Sequence, residues 1–166
     1  EEAQRLALLP PAHLSEDGFA ELALGNRWDF GGIGKGMAAD LAGKILRSHG
    51  CPHFQVDCSG DVLVGDTTHP KSNWSIATEI EGVRIPVPSN YAVACSGDLH
   101  QFLVHEGNRY SHIMDPRTGQ AVLNQNLIFV IAPTATQADA WATALSVENE
   151  LVRPKDINTA QYPFPE

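Results

Sequence analysis

The sequence predicts an α+β fold, a largely antiparallel sheet with two main helices. Segments with alternating or β-branched patterning outnumber those with helical spacing, turn dipeptides join neighbouring strand segments, and two stretches repeat apolar residues at intervals of three and four. With 166 residues, 43% of them hydrophobic, the chain is sized for one domain, residues 1–166, with its own core.

Taken in order, "PPAHLSEDG" reads as a loop, and "FAELALGNRWDF" alternates on either side of Gly25-Asn26, which predicts a hairpin there. "GGIGKG" (31–36) leads into a helix whose apolar face is Met37, Ala38, Leu41, Ala42, Ile45 and Leu46, with Gly50 placed to cap its end. "HFQVDCSGDVLVGD" predicts two strands turning at Ser59-Gly60, and "THPKSN" an exposed loop. "WSIATEI", "VRIPVP" and "YAVACSG" are strand segments by their β-branched and aromatic content. "HQFLVHEGNRYSHIMD" predicts a hairpin turning at Glu106-Gly107-Asn108, and "DPRTG" a further turn. The continuous apolar run "LIFVIAP" predicts a buried strand. "TQADAWATALSVE" predicts the second helix, with Thr136 as N-cap and Ala138, Trp141, Ala142 and Leu145 on one face. The proline-rich end, 149–166, reads as a surface tail.

Composition excludes several classes. A formal charge of -9 and a pI near 5.1 are wrong for a surface that coats nucleic acid, because such surfaces concentrate Lys and Arg against phosphates. Cys51, Cys58 and Cys95 form no CxxC pair and no zinc spacing; one disulfide with one thiol left over is the alternative they allow. No run of ~18 apolar residues is present to span a bilayer, and "EEAQRLALLPP" lacks a basic n-region.

Three segments carry chemistry. "GGIGKG" is not a P-loop, since Gly36 rather than Ser or Thr follows Lys35, and its glycines at 31, 32, 34 and 36 miss the dinucleotide spacing. Glycines and a lysine at a helix N-terminus still favour an anion, though a tight strand-to-helix turn with an exposed lysine would read the same way. Asp139 and Thr143 stand four apart on the second helix, so their oxygens share a face and offer hard donors to Mg²⁺. The same pair also fits a dipole-complementing Asp and a back-bonding Thr. "RYSHIMDPRTG" sets His112 before a turn, either as a proton shuttle or as a half-buried polar group. The histidines at 13, 49, 53, 69, 100 and 105 show no catalytic pattern.

Together and in order, "DFGGIGKGMAAD" (29–40), "VDCSGD" (56–61), "SGD" (96–98), "YSHIMDPRTG" (110–119) and "ADAWATAL" (138–145) resemble the ApbE-like FAD:protein FMN transferases over residues 20–148. The resemblance implies a chain that binds FAD as substrate and Mg²⁺ as cofactor. It would attach FMN to a Thr or Ser hydroxyl of an acceptor flavoprotein and release AMP. It implies Asp139, Thr143 and the backbone carbonyl of Gly32 as metal ligands, Lys35 beside the phosphates and His112 as general base. Gly31, Gly32, Gly34, Lys35, Gly36, Ser96, Gly97 and His112 would contact the flavin nucleotide. A periplasmic or cell-envelope setting and an acceptor in a peripheral membrane complex also follow from it. Departures are Ser59-Gly60 where the family usually has two glycines, Leu99 where an aromatic often follows "SGD", and the absence here of the family's N-terminal segment. The alternative expectation is a non-catalytic or hydrolytic FAD-binding module.

Overall fold

A computed structural model describes residues 5, 9, 12–69, 72–123, 126–148 and 150–163. Two short strands, β1 (His13–Leu14) and β2 (Ala20–Glu21), pair antiparallel around a Ser15–Gly18 turn in which Ser15 Oγ accepts the N–H of Phe19 at 3.1 Å. The hairpin expected at Gly25-Asn26 is not formed. Leu24 is fully exposed there, so the alternation has no core face to bury, and a local bond from Asn26 N–H to Ala23 O closes the turn instead.

Helix α1 (Gly34–Ser48) begins inside the glycine loop, three residues before the apolar periodicity. It ends as predicted: Gly50 sits at φ +75°, its N–H bonds Arg47 O, and Cys51 N–H bonds Leu46 O. The face it buries differs from the one expected. Gly36, Ala39 and Gly43 are buried, while Met37, Leu41 and Ile45 are 52%, 60% and 51% exposed. Small residues win because α1 approaches its neighbours closely. A Cβ at Gly36 would lie 2.3 Å from the carbonyl oxygen of Ala135.

β3 (Gln55–Cys58) and β4 (Asp61–Val64) form the predicted hairpin, with Ser59 and Gly60 both at positive φ as a type I′ turn requires. β5 (Trp74–Ala77) pairs β6 (Arg84–Val87), and β7 (Ala92–Ser96) follows. β8 (Phe102–His105) and β9 (Asn108–Ser111) turn through Glu106 and Gly107, and β10 (Met114–Asp115) pairs β11 (Gln120–Ala121). β12 (Asn126–Ala132), helix α2 (Ala135–Val147) and β13 (Asn158–Pro163) complete the order. Residues 158–163, read above as part of a tail, are an edge strand: they pair with β12 along its length, and Ile157 joins the core.

The main sheet runs β13-β12-β7-β4-β3, antiparallel throughout. Strand alternation divides it into two buried faces. Leu63, Ala92, Ala94, Ile128 and Val130 pack under both helices against Ala39, Ala138, Ala142 and Leu145. Val62, Val64, Val93, Leu127 and Phe129 pack on the other side against Ile76, Ile85 and Val87 of the β5–β6 hairpin. Cover on both faces is why β12 reads as one apolar run. The α+β class stands as predicted. The three cysteines are free thiols, so the allowed disulfide is not made. Among the described residues no helix is long and apolar enough to cross a membrane.

Candidate active site

The two helices cap each other. On α1, the N–H of Gly36 donates to Asp139 Oδ2 of α2 at 3.0 Å. On α2, the N–H groups of Ala135 and Thr136 donate to the two carboxylate oxygens of Asp40 of α1, at 2.8 and 2.9 Å, and the Thr136 hydroxyl adds a third bond at 2.6 Å. Each helix start thus gives its unsatisfied donors to a carboxylate from the other. Thr136 is not the N-cap. Thr134 holds that place, accepting the N–H of Gln137, because its extended backbone suits the cap and Thr136 is already helical.

This exchange points Asp139, 3% exposed, at the start of α1 and at Lys35. Lys35 Nζ lies 3.3 Å from Asp139 Oδ1 and 2.8 Å from Oδ2 of Asp61, which opens β4. Burial works to lower the Lys35 pKa, but hydrogen bonding and charge from Asp61, with Asp139, outweigh it and raise it above 10.5. Burial raises the Asp61 pKa, Lys35 opposes the rise, and the charge of Asp139 adds to it. Two buried carboxylates therefore share a single ammonium and leave a net negative charge. Thr143 stands one turn further along α2. A Cβ at Gly32 would lie 3.1 Å from its Oγ1, so the bare backbone of Gly32 is what admits that hydroxyl. Ser146 back-bonds to Ala142 O, but among the described residues no hydrogen bond engages the Thr143 hydroxyl.

His112 follows β9. Its Nδ1 lies 2.9 Å from the carbonyl oxygen of Gln101; a carbonyl only accepts, so Nδ1 carries the hydrogen and a neutral ring has its lone pair on Nε2. Next to it, Arg117 binds Asp115 and Glu148, which ties the "DPRTG" turn to the end of α2 and holds the Asp115 carboxyl below its usual range. The Asp of "SGD", Asp98, is buried against Arg109, whose guanidinium stacks over Phe102 at 3.5 Å.

An open cavity of about 1750 Å³ joins these parts. Its lining includes Gly31, Gly32, Lys35, Asp139 and Thr143, together with Ser96, Gly97 and His112, and the apolar side chains of Ile76, Ile85 and Phe129. Gly34 and Gly36 are not in its wall. Their N–H groups are spent on Phe30 O and Asp139, and that of Gly31 on Asp29, so Lys35 and the bare backbone of 31–32 are what the loop presents. Sequence reasoning did not single out Asp61. The available signal was an acidic residue opening a strand that is otherwise apolar and buried, "DVLV".

Among the described residues no cluster of three His, Cys, Asp or Glu forms a metal site. The donor set suits a hard cation nonetheless: surplus negative charge, an unengaged hydroxyl and an adjoining backbone, all oxygen.

Residues 3–158 match the ApbE family. The FAD:protein FMN transferase of Vibrio cholerae serotype O1 is 33% identical over 129 residues, 74% of this chain and 39% of that protein. The FAD:protein FMN transferase of Escherichia coli K12 is 32% identical over 127 residues, 72% and 36% of the two. The chain thus spans less than half the length of these relatives. The ApbE protein of Thermotoga maritima superimposes with a TM-score of 0.75 at 31% identity, over 88% of this chain and 50% of that one. Pseudomonas stutzeri flavinyl transferase ApbE, at 24% identity and a TM-score of 0.68, shares the fold.

Proposed function

The chain belongs to the ApbE family, and on that footing we propose that it transfers FMN from FAD to a Thr or Ser hydroxyl of an acceptor protein and releases AMP. The observation that carries the reading is the meeting of the Asp139 carboxylate, the Thr143 hydroxyl, Lys35 and His112 in the wall of one cavity, with Asp61 behind Lys35. Asp139, Thr143 and the carbonyl of Gly32 would hold Mg²⁺. Bound there, the cation would neutralise charge on the FAD pyrophosphate and on the departing AMP.

The chain's own residues supply the rest. Lys35 brings a fixed positive charge to the phosphate end of the cavity. The cavity is large enough for a dinucleotide, and its lining offers the apolar side chains of Ile76, Ile85 and Phe129 to a ring system. Nε2 of His112 takes the proton of the acceptor hydroxyl as its oxygen bonds the FMN phosphorus. The bond from that phosphorus to the bridging oxygen breaks, and AMP leaves with the electron pair. The Gln101 carbonyl holds the imidazole in the tautomer that can accept. An acceptor in a peripheral membrane complex of the periplasm or cell envelope is the setting this proposal takes.

The deciding experiment incubates the chain with FAD and Mg²⁺, with and without a protein bearing a flavinylation site. AMP release together with flavin fluorescence on the denatured acceptor supports the proposal. AMP release alone would mean hydrolysis, and FAD binding without AMP a non-catalytic module.

A further inference from the structure

Asp61 is 1% exposed and opens β4 on the sheet face that carries Leu63 toward the helices. A carboxylate so buried is retained only beside a compensating charge. Lys35 provides it at 2.8 Å, although among the described residues no aligned hydrogen bond reaches Asp61 Oδ2. The same ammonium donates a hydrogen bond to Asp139 Oδ1 at the longer distance of 3.3 Å. Asp139 Oδ2 is already committed to the Gly36 N–H, so Oδ1 is the oxygen a cation would use, and Lys35 is its competitor.

We propose that Asp61 is a positioning residue that draws the Lys35 ammonium toward itself, and so leaves its longer contact with Asp139 Oδ1 weak enough for a divalent cation to displace. The inference rests on the assignment of Asp139 as a cation ligand. Two like charges at unequal distances from one ammonium divide it in favour of the nearer. Among the described residues Asp61 and Asp139 are the carboxylates paired with Lys35, so without the Asp61 charge the ammonium closes on Oδ1 and mimics the cation it excludes.

Mn²⁺ binding to the full chain, followed by electron paramagnetic resonance without FAD, tests this in four proteins. Asp61→Asn should weaken Mn²⁺ binding about 10- to 100-fold, the range usual for an outer partner of a metal ligand. Lys35→Met should bind Mn²⁺ at least as tightly as wild type, because the competitor is gone. The double variant should regain about tenfold or more over Asp61→Asn. A residue with only a structural role would weaken binding whether or not Lys35 were present. Wild-type affinity in a natively folded Asp61→Asn, or a double variant as weak as the single, would overturn the inference. If Asp61→Asn does not fold, Lys35→Met decides: affinity below wild type overturns it. A wild-type chain that binds no Mn²⁺ overturns the cation assignment as well, whereas wild-type binding with Asp61→Asn unaffected removes this inference alone.

Discussion

Asp40, on the first helix, holds Thr136 at the start of the second: one carboxylate oxygen accepts both the N–H and the hydroxyl of that residue. The other oxygen takes the N–H of Ala135. Asp40→Ala leaves these donors half-buried and unpaired, and should cost about 2 kcal/mol of stability. Asp40→Asn, which keeps one acceptor, should cost less. Chemical denaturation of both variants checks the order. Equal loss in the two would mean that the charge rather than the bonding pattern matters.

Asp139 has a structural and a chemical duty, so its substitution needs two readouts. Asp139→Ala should lower stability by about 1 kcal/mol, because the Gly36 N–H loses its acceptor, and should abolish AMP release per folded molecule. Among the described residues no hydrogen bond engages the Thr143 hydroxyl, so Thr143→Val should leave the melting temperature nearly unchanged and reduce turnover. Full activity in folded Asp139→Ala would confine that residue to capping.

For His112, replacement by Ala should slow FMN transfer about 10² to 10⁴-fold while FAD and cation binding persist. A variant that transfers FMN at the wild-type rate would leave the cation and Lys35 as the whole apparatus.

Burial, with added repulsion from Glu79 and then Asp61, pushes the Cys95 thiol up to about 12. Thiolate is the reactive form, and a raised pKa reduces it at any pH below that value. Iodoacetamide at pH 8 should therefore alkylate exposed Cys51 quickly and leave Cys95 unmodified in the folded chain, as peptide mass mapping would show. Equal labelling of the two would contradict the packing of Cys95 against the core on the β5–β6 side of the sheet.

The sequence-level reading succeeded where a local signal and the final environment agree. Ser59-Gly60 and Glu106-Gly107 demanded positive φ and formed their turns, Gly50 capped its helix, and "LIFVIAP" became the doubly covered strand. It failed where tertiary contact overrules periodicity. Met37, Leu41 and Ile45 repeat as a buried stripe should, yet the face that is buried is the small one, where Gly36 meets the second helix and Gly43 meets Leu63 and Phe54. Asp40 and Asp61 stand in the quoted motifs, but their roles went unread for a related reason, since their partners lie 95 residues ahead and 26 behind (135 − 40 and 61 − 35). Residues 158–163 look like a tail because their strand is mostly exposed and is flanked by Pro154, and only pairing with β12 makes it part of the sheet.

The reciprocal capping of the helices has a thermodynamic corollary. The Asp139 side chain is oriented by a donor on α1, and the start of α2 is closed by an acceptor on α1, so neither helix can fray alone without disturbing the other. Catalytic geometry and global folding then belong to one cooperative unit. The amide protons of Gly36, Ala135 and Thr136 should exchange with solvent through a common opening event, and any species that grips Asp139 should slow all of them together.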